Sequence, residues 1–102
     1  MGQWPDDQND RVGTITEIKR DMKEMFMKMY KVLIHNDDKN DMMHVARTLI
    51  EIFKMDAEKA AKVMLEAHNT GVGLCAVEPL EHAELHMEQL RAKSLSSTIE
   101  AD

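Results

Sequence analysis

One change of pattern limits the fold of this chain more than any other. Tyr30-Lys31-Val32-Leu33-Ile34-His35 is rich in β-branched and aromatic residues and reads as a strand, and it stops abruptly at Asn36-Asp37-Asp38. Asn and Asp favour turns because their side chains bond their own backbone. Helical spacing takes over near Asn40 or Asp41, where Met42, Val45, Leu49, Ile52 and Phe53 recur at offsets of three, seven, ten and eleven residues. A strand joined through a tight polar turn to an amphipathic helix needs partners for both its edges and its stripe. The rest of the chain must supply them.

The downstream pattern does so. Asp56 is placed as an N-cap, and Ala60, Ala61, Met64, Ala67 and His68 share one helical face. Gly71 is placed to end that helix in a left-handed conformation. Residues 72–77 read as a second short strand, and Pro79 as the first residue of a third helix whose buried stripe is Leu80, Ala83, Met87 and Leu90. Leu95 to Glu100 reads as a last strand at a sheet edge. The order β-α-α-β-α-β predicts an α+β fold: a small three-stranded antiparallel sheet covered on one face by three helices. Upstream, residues 1–13 are polar and read as a disordered arm. Thr14-Ile15-Thr16-Glu17 has the form of a capping box, followed by Ile15, Ile18, Met22, Met25, Phe26 and Met29 at helical spacing. The expected organisation is an extension over residues 1–29 and one domain over 30–102, without internal repeats.

Composition removes several classes of function. A formal net charge of -6 argues against a nucleic-acid partner, whose phosphates demand cationic contacts, and it suits a cationic ligand such as an α-amino group. No stretch approaches the roughly 18 apolar residues of a membrane helix. The first residues lack the basic flank and apolar run of a signal peptide. The single Cys75 provides no disulfide framework and fits a reducing compartment, bacterial cytosol or organelle stroma. Ten methionines are many for 102 residues. Most are expected to fill core gaps, although Met also serves surfaces that adapt to varied apolar partners.

The chemistry is concentrated in His35-Asn36-Asp37-Asp38-Lys39-Asn40-Asp41-Met42, where three carboxylates and two amides crowd one turn. A helix cap with solvated turn formers explains it, and so does a set of oxygens converging on a ligand. An EF-hand pattern fails, since counting from Asp37 the third position is Lys39 and the sixth is Met42. His35, His44 and His68 match no standard zinc spacing. His68, on the face of Ala61 and Met64, is expected to point inward. No nucleophile can be paired with a base, so neither an enzyme nor a cofactor is expected.

The run from Tyr30 to Asp38, with Met42 and Val45 behind it, resembles the ClpS family of N-degron adaptors. Residues 60–71, with their Met-Leu-x-x-His-x-x-Gly pattern, are similar to that family's second helix, and Leu95 to Glu100 to its last strand. The resemblance implies that Asn36 and Asp38 bind the α-amino group of a substrate's first residue, with His68 as a further partner and Asp37 adding negative field. It implies an apolar pocket walled by Met42, Val45, Met64, Ala67 and Leu95, with Asn40 at its edge, for N-terminal Phe, Leu, Tyr or Trp. Met42 would be a gate against β-branched side chains. It also implies delivery to the N-domain of a ClpA or ClpC ATPase, with Glu81 at an acidic docking position.

This chain departs from the family at several positions. Asn40-Asp41 stands where the family usually has Thr-Pro, so Asn40 is free to cap the helix or contact the peptide. Ala67 replaces a more usual Val, which predicts a deeper pocket and a gain for aromatic first residues. His86 stands where the docking face has a basic residue. The helical pattern before Tyr30 is another departure, and could support self-association. An alternative of another class is a scaffolding module that binds a partner helix through a Met-rich surface.

Overall fold

A computed structural model describes residues 14–102, except for the side chains of residues 23–26. In chain order the elements are α1 (Ile15–Phe26), β1 (Met29–His35), α2 (Met42–Phe53), α3 (Ala57–Thr70), β2 (Val72–Pro79), α4 (Leu80–Ala92) and β3 (Ser96–Ala101). The polar arm read in residues 1–13 lies outside the described residues. β1 is the central strand, antiparallel to β2 on one side and β3 on the other. The fold is the α+β arrangement expected from the pattern, with α1 added in front.

Alternation along β1 divides the sheet into two faces. Val32 and Ile34 point into a core with Leu49 of α2, Ala60, Val63 and Ala67 of α3, Ala83 and Leu90 of α4, and Leu95. Ile34, Leu49, Leu90 and Val32 are essentially closed to water. Burying each such side chain contributes roughly 1.5–3 kcal/mol. The opposite face carries Lys31, Leu33 and His35, paired with Val77, Leu74 and Val72 of β2. Those three β2 side chains remain substantially exposed.

The helix starts follow the sequence. Thr14 Oγ1 accepts from the Glu17 amide at 3.1 Å while Glu17 Oε1 accepts from the Thr14 amide at 3.0 Å, a reciprocal capping box. Asp41 caps α2 by accepting from the His44 amide, and Asp56 caps α3 by accepting from Lys59, both at 2.8 Å. Each such cap is worth about 0.5–2 kcal/mol. α1 keeps Ile15 and Met22 on the surface, so its apolar stripe is uncovered at those positions.

Several expectations require correction. Met29, placed in the helical stripe of the extension, opens β1 opposite Pro79 because the ladder begins there, and Leu80, placed in the buried stripe of the last helix, is 40% exposed. Pro79 is the last residue of β2 and the N-cap of α4 (φ −60, ψ 156), not its first helical residue. Its extended ψ lets Glu78 and Pro79 continue the ladder opposite Tyr30 and Met29 before the helix begins. Leu95 precedes β3, which starts at Ser96. The buried face of α3 runs through Ala60, Val63 and Ala67, rotated from the expected stripe, with Ala61 and Met64 half-buried beside it. The cause is Gly73 in β2: a Cβ there would lie 2.7 Å from the Val63 carbonyl oxygen and 3.2 Å from Ala67 Cβ. Missing that atom, β2 sits directly under this edge of α3. Finally, His68 is exposed, because the same rotation turns it away from the core.

Candidate functional site

The acidic turn between β1 and α2 is held at both ends. The Asn36 amide donates to the Gly71 carbonyl at 3.0 Å, which fixes the start of the turn beside the end of α3. Gly71 ends that helix at φ 94, as its placement suggested, and so sets where His68 stands. At the other end Asp41 caps α2. β1, α2 and α3 thus all contribute to one place.

Within the turn, Asp37 is an organiser. Its Oδ1 accepts from the Lys39 amide at 3.0 Å, the Asn40 amide at 3.2 Å and Asn40 Nδ2 at 3.1 Å. Its Oδ2 accepts from Asn40 Nδ2 at 3.3 Å and from the Ser96 hydroxyl at 3.2 Å. Loss of solvent pushes the Asp37 carboxyl upward, but these donors outweigh it and hold the pKa below its ordinary 3.8. Asn40 Nδ2 also donates to the Ser94 carbonyl at 2.8 Å, so Asn40 leaves the cap to Asp41 and ties the turn to the approach of β3. His44 Nε2 is 2.8 Å from the neighbouring Lys93 carbonyl. A carbonyl only accepts, so that nitrogen carries the proton.

These elements enclose a cavity of about 390 Å³. Its lining includes Asn36, Asp37, Asp38, Asn40, Met42, Val45, Met64, Ala67, His68 and Leu95, all singled out from sequence. Ile34, His35 and Asp41 line it as well and were not assigned to it. Ile34 and His35 belong to the strand run and Asp41 to the acidic turn; neither signal distinguished strand or cap from cavity wall. Ala67 and Leu95, each 5% exposed, form the floor, and Met42, at 42%, stands at the rim. Asn36, Asp38 and His68 are exposed around the mouth, and Asp38 has no ion-pair partner among the described residues. Such a cavity offers oxygens and an imidazole beside an apolar hole: donors belong at one end of its ligand and hydrocarbon at the other.

The predicted docking residues lie elsewhere, on α4. Glu81 is exposed in its first turn. His86 is half-buried, its Nδ1 2.8 Å from Glu78 Oε1 and its ring 4.7 Å from that of Phe53. It forms one wall of a second, more open hollow of about 450 Å³ between α2 and α4, flanked by Lys54 and by Lys93 paired with Glu51. Of the methionines, Met42 and Met64 line the first cavity, whereas Met22 and Met43 are more than half exposed elsewhere.

Fold and cavity together define a small α+β recognition module. The model of the family described as ATP-dependent Clp protease adaptor protein ClpS matches residues 26–98. The chain is 45% identical over 92 residues to the ATP-dependent Clp protease adapter protein ClpS of Gloeobacter violaceus, covering 89% of this chain and 99% of that one. It is 41% identical over 73 residues to the chloroplastic adapter CLPS1 of Chlamydomonas reinhardtii, covering 71% of this chain and 45% of that protein. The solved structure of Agrobacterium tumefaciens ClpS2 bound to L-phenylalaninamide matches with a TM-score of 0.70 and 28% identity, covering 74% of this chain and 98% of that chain. The chain belongs to the ClpS family of Clp protease adaptors.

Proposed function

We propose that this adaptor binds the free α-amino group and bulky apolar first side chain of N-degron proteins and delivers them to a Clp ATPase. The observation that carries the reading is the set of exposed side chains, Asn36, Asp38 and His68, around the mouth of an apolar cavity. An ammonium is three donors with no acceptor, and this rim supplies acceptors for it. Hydrogen bonds to a charged group contribute about 1.5–3 kcal/mol each. Burial of a Leu or Phe side chain over Ala67 and Leu95 adds roughly 1.5–3 kcal/mol. Less the cost of ordering the peptide, affinity in the micromolar range follows. In a relative, the same fold holds L-phenylalaninamide, an amino-terminal ammonium joined to a benzyl side chain.

The adaptor acts without catalysis. Cys75, the one thiol, is buried in the sheet, where desolvation first, then the charges of Glu66 and Glu78, push its pKa up to about 12. Delivery uses the N-domain of a ClpA- or ClpC-type ATPase docking around Glu81, in bacterial cytosol or organelle stroma, with the residues before β1 as the delivery extension. Relatives from a bacterium and a chloroplast support that setting. Fluorescence titration with peptides beginning Phe, Leu or Ile checks the reading. Phe and Leu peptides are expected to bind and the Ile peptide to bind at least tenfold more weakly; equal affinity for all three would refute the pocket assignment.

A further inference from the structure

The geometry points to Asn40 as a positioning residue that registers the two halves of the binding site against each other. The inference rests on the reading of the cavity as an N-terminus site, and adds a residue whose role is not to touch the substrate's ammonium. One amide nitrogen faces three acceptors: both carboxylate oxygens of Asp37, at 3.1 and 3.3 Å, and the Ser94 carbonyl at 2.8 Å. The reverse orientation of the amide would set its own oxygen against all three, so the donor direction is fixed by chemistry. On one side of this link lies the acidic turn that carries Asn36 and Asp38. On the other lies Leu95, the cavity floor, one residue after Ser94.

The link meets the approach to β3 between two fixed points, the end of α4 and the pairing of Ser96 with His35, where Ser96 also donates to Asp37. α4 ends at Ala92, and Ser94 takes a left-handed φ of 68, unusual for a residue with a Cβ. The amides of Lys93, Ser94 and Leu95 bond back to the last turn of α4, which leaves the carbonyls of Lys93 and Ser94 for other donors. His44 takes the first and Asn40 the second, both at 2.8 Å. Of these two, only Asn40 continues to Asp37, which also accepts from the Ser96 hydroxyl at 3.2 Å on the far side of Leu95. Removing the Asn40 amide leaves the Ser96 hydroxyl as the one remaining side-chain tie between Asp37 and the residues around Leu95 among the described residues, so that a ligand held by its ammonium meets a less well-placed floor. The loss then falls on the contribution of the first side chain.

The experiment compares the wild-type chain with Asn40→Ala, Asn40→Asp and His44→Ala, using labelled peptides that begin with Leu or with Ala, and thermal melting as the control for folding. For Asn40→Ala the Leu peptide is expected to weaken about tenfold or more, with the Leu-to-Ala affinity ratio compressed. Asn40→Asp should weaken binding at least as much at neutral pH: it keeps the shape and adds negative charge near the ammonium, but removes both donors. Asn40→Asp binding as tightly as wild type, or more tightly, would overturn the inference, because charge rather than registration would then matter. So would an Asn40→Ala variant that loses affinity for both peptides equally. Should Asn40→Ala fail to fold, Asn40→Asp carries the same comparison, while His44→Ala, which cuts a tether that does not reach Asp37, should leave the Leu-to-Ala ratio near wild type; a ratio compressed there as far as in the Asn40 variants counts against the inference. If wild type binds neither peptide, the N-terminus site itself fails and the registering role falls with it; wild-type binding with unchanged ratios in the Asn40 variants overturns the registering role alone.

Discussion

Two places among the described residues set a carboxylate and a histidine beside a hollow, and they differ in whether those groups are already met. On α4, His86 and Glu78 bond each other at 2.8 Å, and Phe53 packs on the imidazole. Each group satisfies the other, and the hollow beside them is open and flanked by Lys54 and Lys93. At the β1–α2 turn, Asp38 and His68 are exposed at the mouth of a cavity whose floor is hydrocarbon. The internal hydrogen bonding there is carried by Asp37 and Asn40 instead, which frees their neighbours for a ligand. The difference teaches that residue type does not mark a site. What marks it is a polar group held in place by others, unmet by the protein itself, next to apolar surface.

The comparison breaks most readily at Asp38. Asp38→Ala should weaken a peptide beginning Leu by roughly 10- to 100-fold, the loss of a hydrogen bond to a charged group, while Glu78→Gln leaves binding within twofold. Fluorescence anisotropy on both variants decides it. A comparable loss for Glu78→Gln would erase the contrast. Gly73→Ala is next. The added methyl meets the Val63 carbonyl oxygen at 2.7 Å and must push α3, with Ala67 and His68, off β2. We expect a stability loss of about 1–3 kcal/mol by urea denaturation, together with weaker peptide binding. Ala67→Val should raise the cavity floor and favour Leu over Trp as first residue by a few-fold, and an unchanged ratio would remove Ala67 from the account of selectivity.

The smallest effect is acid sensitivity. The pKa of Asp37 is depressed in the folded chain, so the stability it contributes is complete above the ordinary value of 3.8 and is lost as pH falls through the lower folded value. Wild type and Asp37→Asn should therefore differ in urea midpoint at pH 6 and converge toward pH 3. A constant difference across that range would show that the carboxylate's charge is not what organises the turn.

Much of this was legible in the sequence because it depends on near neighbours. The caps at Thr14 and Asp56 and the stop at Gly71 are decided within one helical turn and stand where the pattern put them, while the start of α2, read near Asn40 or Asp41, is capped by Asp41. The strands followed from β-branched and aromatic runs bounded by turn residues, and their succession along the chain from the helices between them. What the sequence hid depends on distant partners. The rotation of α3 is set by a glycine in the next strand, and it alone decides that His68 faces the cavity mouth rather than the core. Pro79 carries a helix-start signal, yet the pairing of β1 with β2 holds it in the ladder. Asn40 reads as a cap or a peptide contact, because its link to Ser94 spans 54 residues of chain.

The central claim is that the ligand enters at the unmet constellation and not at the satisfied one. Amide NMR on the labelled chain, titrated with L-phenylalaninamide and with its N-acetyl derivative, tests it directly. With the free amine, shifts should concentrate at residues 36–42, His68 and Leu95 and leave Glu78 and His86 unmoved, and the acetylated compound should produce none of them. Equal shifts from both compounds, or shifts centred on the hollow beside His86, would contradict the account.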